Sequence, residues 1–329
     1  MPLCKSNQSI RAAAAAGLAA ALSLAGADAS QLDLLVSSAE TDNVLRYDET
    51  TGAFVGVFAS GGGLDFSMGL AFGPDGNLYV GSAQSHAVLR YNGTTGAFID
   101  EFVATGSGGL FSPRGLIFGP GGDLYVSSSQ GTPNAVLRYD GATGDFIDIF
   151  ATGGLEFPTG LEFGPDGNLY VAGQSSGNVV RYNGATGAFI DVFATGLSAP
   201  RDLEFGPDDN LYVGSFPGSV RRYNGATGAF IDEFVPHGSG GLSAPQGLLF
   251  GPDDNLYVAS QNTDNVLRYD GTTGVFIDQF VVSGDGGLDL PTYLISFPVP
   301  EPATMLVLGA GLAALVLRRR TSGRLGRMN

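Results

Sequence analysis

The chain has 329 residues, of which 43% are hydrophobic and 15% charged, with 52 glycines, no tryptophan and a net charge of −16. That balance supplies enough apolar surface for a packed core and excludes a disordered chain. The acidic excess repels nucleic acid and anionic lipid, and a single cysteine, Cys4, excludes a disulfide framework.

Residues 1–29 carry Lys5 and Arg11, then the apolar run AAAAAGLAAALSLAG, and end at Ala27-Asp28-Ala29, the pattern of a secretory signal peptide with a small-residue cleavage site. Cys4 precedes the apolar run, where it is badly placed for lipid attachment, and is lost with the segment. The mature chain then has no thiol catalysis and no zinc–thiolate site. Residues 30–301 retain 31 acidic side chains against 9 basic ones, about −22, a balance that keeps an exported protein soluble.

Residues 30–297 are built from one phrase. FGPDGNLYV occupies 72–80 and returns unchanged at 163–171, with FGPGGDLYV at 118–126 and FGPDDNLYV at 205–213 and 250–258. Each copy sits in a unit of about 45 residues that reads GLxFGPDGNLYVxS, a variable stretch, VLRYNGTTGAFIDxF and a Gly-rich connection. Four runs rich in Val, Ile, Leu, Phe and Tyr, separated by PDGN and NG turn signals, predict a four-stranded antiparallel sheet per unit, with strands a to d. Proline presets one turn position, and Asp, Gly and Asn tolerate the turn dihedrals, so PDDN reads as a hairpin turn rather than a Ca2+ loop.

The Arg-Tyr pair of strand c occurs six times, from Arg46-Tyr47 to Arg268-Tyr269, whereas strand a before FGP occurs five times. The missing copy lies at the far end, where Pro291-Thr292-Tyr293-Leu294-Ile295 aligns with Pro245-Gln246-Gly247-Leu248-Leu249, while residues 31–58 supply only strands b, c and d. One C-terminal strand and three N-terminal ones therefore complete a sixth unit, and the array closes into an all-β, six-bladed β-propeller. A solenoid would not need the split unit, and closure removes the bare edges of an open stack. The PxGLxF…DGNLYV order resembles the NHL and SMP-30-like propellers over residues 31–297, and the lack of tryptophan disfavours WD40.

Loop lengths distinguish the two faces of the disc. The a–b and c–d turns keep constant spacings of 7 and 8 residues between their flanking aromatic or Arg positions, while strand b to the strand c Arg takes 10, 11 or 13. All variation thus falls on the b–c and d–a face, where binding loops are expected. On that face the first residue of each innermost strand after the variable loop should ring the channel mouth: Met68, Arg114, Thr159, Arg201, Gln246 and Thr292. Arg114 and Arg201 stand outside the Arg-Tyr repeat and present paired guanidiniums suited to an oxyanion, such as the uronate carboxylate of an acidic extracellular polysaccharide. The competing expectation is that both form salt bridges to Asp202 or Glu162. The repeated arginines are structural: with Val88 opposite Phe102, Arg90 faces Asp100, and the same phase pairs Arg138, Arg181, Arg222 and Arg268 with Asp148, Asp191, Asp232 and Asp278, leaving Gly56 opposite Arg46.

The favoured function is a binding scaffold without cofactor, for a polysaccharide or a surface protein. The SMP-30-like resemblance implies an alternative, a divalent-metal lactonase or lyase, with a cation such as Ca2+ held in the channel by Glu, Asn and Asp. Channel-facing Glu162 and Glu204 are candidate ligands that could equally be solvated or paired with arginine, and the two arginines at the mouth speak against carrying the metal site across. NHL units carry Asp shortly after the Tyr-Val of strand b, but here those positions are Ser38, Ser82, Ser128, Gly173, Ser215 and Ser260. His86 and His237 sit in loops of blades roughly opposite one another, too far apart for an acid–base pair.

The chain ends with Val299-Pro300-Glu301-Pro302-Ala303-Thr304, an apolar run over 303–317 and Arg318, Arg319 and Arg320. This three-part order resembles the PEP-CTERM sorting tail, here residues 298–329 with Val299, Pro300, Glu301 and Pro302 as the motif. The resemblance implies export across the inner membrane, a transient membrane anchor through the apolar helix, cleavage by an exosortase-type membrane protease, and a final place at the cell surface or outside the cell.

Overall fold

Each repeat unit folds for the same local reason. The computed structural model describes residues 32–131 and 133–298. The signal segment 1–29 and, beyond Pro298, the sorting tail with Val299, Pro300, Glu301 and Pro302 lie outside the described residues. In the first blade, strands Ser67–Phe72, Leu78–Ser82, Ala87–Tyr91 and Phe98–Val103 pair in antiparallel order. The a–b turn is closed by its aspartate: Asp75 accepts hydrogen bonds from Asn77 N (3.0 Å), Asn77 Nδ2 (2.7 Å) and the Tyr79 hydroxyl (3.1 Å). The third turn residue is left-handed, as Gly76 (φ 75) or as Asp209 (φ 59) and Asp254 (φ 60), a conformation that Gly and Asp reach most readily.

Six such four-stranded sheets follow one another, and their innermost strands pack in sequence around a channel until strand Pro291–Pro298 meets strand Ser67–Phe72. The sixth blade is the split one. Pro291–Pro298 pairs with Leu32–Ser38 in antiparallel register, Leu34 opposite Ser296 and Val36 opposite Leu294, and Asn43–Asp48 and Phe54–Ser60 complete it. Closure buries Leu294 and Phe297 of the C-terminal strand to 7% and 3% exposure, each about 1.5–3 kcal/mol of transfer free energy.

The core consists of layers between neighbouring blades rather than within them. Tyr79 meets Phe102 of its own outer strand at 4.7 Å and Phe118 of the next blade's inner strand at 4.8 Å, both edge-on. Tyr125, Tyr170 and Tyr212 repeat the contact with Phe163, Phe205 and Phe250. The tyrosine of each Arg-Tyr pair reaches backwards: the Tyr91 hydroxyl donates to Gly61 O (2.8 Å), that of Tyr139 to Ser107 O (2.8 Å) and that of Tyr47 to Asp285 O (2.8 Å), in the connection that leads into its blade. FGPDGNLYV thus recurs because its Phe and Tyr form the joints between blades.

The repeated arginine clamps each blade internally. Arg90 makes two bonds to Asp100 (3.0 and 2.5 Å), lies 3.7 Å from the turn carboxylate Asp75 and stacks 5.0 Å over Phe102. Arg138, Arg181, Arg222 and Arg268 repeat this with Asp148, Asp191, Asp232 and Asp278. Two details depart from the sequence reading. Val88 pairs with Val103, not Phe102, because a bulge follows it and turns Phe102 inward, and the ladder recovers at Arg90 with Asp100. In the split blade Arg46 lies opposite Gly56 as expected but bonds Asp33, the residue equivalent to the turn Asn, and stacks 5.0 Å over Phe297.

Near the axis the third residue of strand a is glycine in four blades, at Gly69, Gly115, Gly160 and Gly247. A Cβ on Gly247 would lie 2.6 Å from Thr292 O and 2.9 Å from Tyr293 Cα, so the closing strand rests on bare backbone. Gly247→Ala should lower the melting temperature by the equivalent of about 1–3 kcal/mol, whereas Gly56→Ala, which meets nothing within 4 Å, should leave it nearly unchanged. Equal melting shifts for the two variants in a thermal scan would contradict this account of closure.

Candidate functional site

The six predicted mouth residues occupy the second position of the six innermost strands, but they divide by task. Thr159 Oγ1 donates to Pro200 O (3.2 Å) and Thr292 Oγ1 to Ser67 O (2.9 Å), so both threonines staple their strand to the next blade. Gln246 is buried and donates to Gln261 Oε1 (2.7 Å). Met68 is buried, with Sδ 3.8 Å from Arg114 Nη1.

Arg114 and Arg201 are held differently. The expected salt bridges to Asp202 and Glu162 do not form: among the described residues neither arginine has an ion pair, and the Nε of each is buried without a hydrogen-bond partner. Arg114 stacks 5.3 Å over Phe157. Burial weakens the proton affinity of both guanidiniums, and for Arg114 the like charge of Arg201 adds to the effect. Asp202 instead accepts from Leu248 N (3.0 Å) and Glu162 from Phe205 N (2.9 Å), each on the inner strand of the following blade.

One residue of the site, Tyr293, had no functional role in the sequence reading, and another, Asp202, was expected only as a salt-bridge partner. Tyr293 and Asp202 occupy the third position of strand a in the sixth and fourth blades, where the other four blades have glycine. That substitution for glycine at an aligned position was the available signal. Tyr293 lies within electrostatic reach of Arg114, Arg201 and Asp202. One residue deeper than the arginines, Tyr293 and Asp202 enter a void of about 550 Å3. Its walls are the leucines at the fourth position, among them Leu70, Leu161 and Leu248, and its carboxyl groups are Glu162, Asp202 and Glu204. Burial pushes Asp202 up to about 7 and Glu162 up to about 8, and burial with the neighbouring Glu162 and Asp202 carries Glu204 well above the carboxylate range.

The backbone at the mouth is strained in every blade. The residue before each innermost strand is left-handed without being glycine: Phe66, Ser112, Phe157, Ala199, Ala244 and Leu290, with φ from 42 to 61, at a cost of order 1 kcal/mol each. Acceptors from the preceding b–c loop hold three of these turns. Phe66 N donates to Asp42 Oδ1 (2.8 Å), Leu290 N to Asp264 Oδ1 (2.9 Å) and Ser112 N to His86 Nδ1 (3.2 Å). His86 stacks at 3.9 Å on Phe111 and has the place of a capping aspartate rather than that of a base. The serines that end strand b serve the same connections, as when Ser82 Oγ bridges the backbone N–H and C=O of Asp65.

Comparison with known proteins bears separately on the C-terminal tail and on the propeller. Residues 298–320 match the PEP-CTERM protein-sorting motif, which marks an exported protein that is anchored at the membrane during sorting and processed by an exosortase. Two solved structures are similar in fold. A chain of the nidogen/laminin complex is 17% identical, with a TM-score of 0.64 over 81% of this chain and 98% of that one. A protein of unknown function from Bacteroides caccae is 13% identical, with a TM-score of 0.64 over 82% and 99%. No curated protein matches the sequence.

The buried acids set a pH dependence. A carboxyl whose pKa is raised by folding contributes its full stability below its unfolded value, near 4, and loses it as pH rises through the folded value, which for Asp202 and Glu162 is about 7 and about 8. The turn carboxylates act oppositely: burial pushes Asp75 and Asp166 up, but hydrogen bonds from the turn asparagine and tyrosine outweigh it and hold both below the usual range. Their contribution fades as pH falls below about 4. The melting temperature should therefore peak on the acid side of neutrality and fall toward pH ~8, and D202N and E162Q, which keep the acceptors, should flatten that descent. A wild-type melting temperature that holds level or rises between pH ~5 and ~8 would contradict the assignment.

Proposed function

We propose that this exported, surface-targeted propeller is a binding scaffold whose channel mouth engages an acidic extracellular polysaccharide through Arg114 and Arg201. One observation carries the reading. In a propeller whose residues 30–297 carry 30 acids and 9 bases, all six arginines of the repeat are ion-paired to aspartate, while Arg114 and Arg201 are left with buried, unbonded Nε atoms, and Arg114 lies within electrostatic reach of Arg201. An unmet buried donor costs about 1–3 kcal/mol, which an oxyanion would recover.

The exit of the chain agrees with display. Pro298 pairs with Leu32 at the a–b end of the split blade, on the face away from the mouth. The alternative, a divalent-metal lactonase or lyase of the NHL or SMP-30-like kind, would draw on Glu162, Asp202 and Glu204. Each of these carboxyls already accepts a main-chain N–H. Thermal stabilisation by Ca2+ together with lactone turnover would decide for the enzyme.

The mature propeller should be retained on immobilised polygalacturonate at low salt, and R114A/R201A should weaken retention at least ~10-fold, two charge-assisted bonds being removed. Unchanged retention in the double variant would dispose of the proposal.

A further inference from the structure

The mouth arginines are not alone at the neck of the channel. They belong to the second and fourth blades, and Tyr293 belongs to the sixth, so the three side chains converge from alternate blades. Tyr293 can lie there because its neighbour at the same level is Gly247, whose missing Cβ makes room for the tyrosine backbone. Directly behind the three groups lies the void of about 550 Å3, within the usual range of small-molecule sites. Its wall of leucines suits the C–H faces of a sugar ring, and the polar atoms at its far end, on Glu162 and Glu204, suit hydroxyl groups. A strand of polyanion lying across the face would reach the arginines but leave this chamber empty. A single residue at the end of a chain would fill both.

We infer that Arg114, Arg201 and Tyr293 form one oxyanion subsite, and that it captures a single terminal uronate residue, with its carboxylate at the neck and its ring in the chamber, rather than an internal stretch of polymer. The inference rests on the reading of the mouth as an anion site and adds to it the size of the ligand, its direction and a third recognition group. Tyr293 donates its hydroxyl to the carboxylate while the two guanidiniums supply charge-assisted bonds, the stronger of the two kinds. Because Tyr293 is carried by the closing strand, the subsite exists only in the closed ring.

The test is calorimetric binding of galacturonate, galactose and galacturonate methyl ester to the mature propeller, together with displacement of the protein from polygalacturonate. Galacturonate should bind and displace the polymer, and the two uncharged sugars should do neither. R114A and R201A should each lose at least ~10-fold in affinity and Y293F about 3- to 10-fold, with R114K intermediate and the melting temperature of each variant checked. If the polymer is held through the arginines but galacturonate does not displace it, the terminal subsite is wrong and the polysaccharide reading stands. Galacturonate binding unchanged in Y293F, or binding of the methyl ester equal to that of the acid, also overturns the subsite. If neither polymer nor monomer binds, the reading of the mouth itself fails.

Discussion

The structure depends on one non-local pairing, the antiparallel ladder between Leu32–Ser38 and Pro291–Pro298. Without it the first blade would present an uncovered inner strand and the fifth an uncovered face, and the aromatic layers that join neighbours would be interrupted at two interfaces. One of those layers packs Leu35, Val44 and Phe297 against Leu70 and Leu78; the other packs Leu34, Leu45 and Tyr47 against Tyr257 and Phe280. Joining the ends of the chain costs loop-closure entropy once, and that cost grows only with the logarithm of length. The return is two complete interfaces and the removal of bare edges.

Charges divide between architecture and recognition by whether they repeat. An arginine that occurs in every blade answers an aspartate that occurs in nearly every blade, and the pair also holds the a–b turn to the outer strand through Asp75 or its equivalents. Each pair is half-exposed and contributes modestly, but its recurrence fixes the register of every c–d hairpin. Residues that break the repeat near the axis, Arg114, Arg201, Asp202, Glu162, Glu204 and Tyr293, make the channel asymmetric. Those six residues distinguish this channel from a purely structural hole. The glycines at the third position of strand a let neighbouring inner strands approach, and the two exceptions, Asp202 and Tyr293, both project into the void.

Much of this was legible in the sequence because the repeat supplies its own alignment. The count of strand a copies against Arg-Tyr copies exposed the split blade, and the Arg90–Asp100 phase survived into the ladder. The bulge after Val88 escaped because it recurs at the same place in every blade, so no spacing between copies reveals it. The partner of Arg46 escaped because Asp33 replaces a turn residue in a turn that the split blade does not possess. The salt bridges expected for Arg114 and Arg201 do not form because the nearby carboxyls are engaged by main-chain N–H groups of the following inner strand, Glu162 by Phe205 and Asp202 by Leu248. The left-handed residues at the mouth have no shared residue type, Phe, Ser, Ala and Leu all appearing, so no sequence signal marked them.

Hydrogen exchange of the mature domain, read residue by residue, tests the closed ring most directly. The amides of the strand ending at Pro298 that face Leu32–Ser38 should exchange as slowly as those of the continuous blades, such as Leu124–Ser128 and Leu169–Gly173. Exchange of Ile295 and Phe297 at the rate of an unstructured peptide, with the other blades still protected, would show an open array and contradict the account.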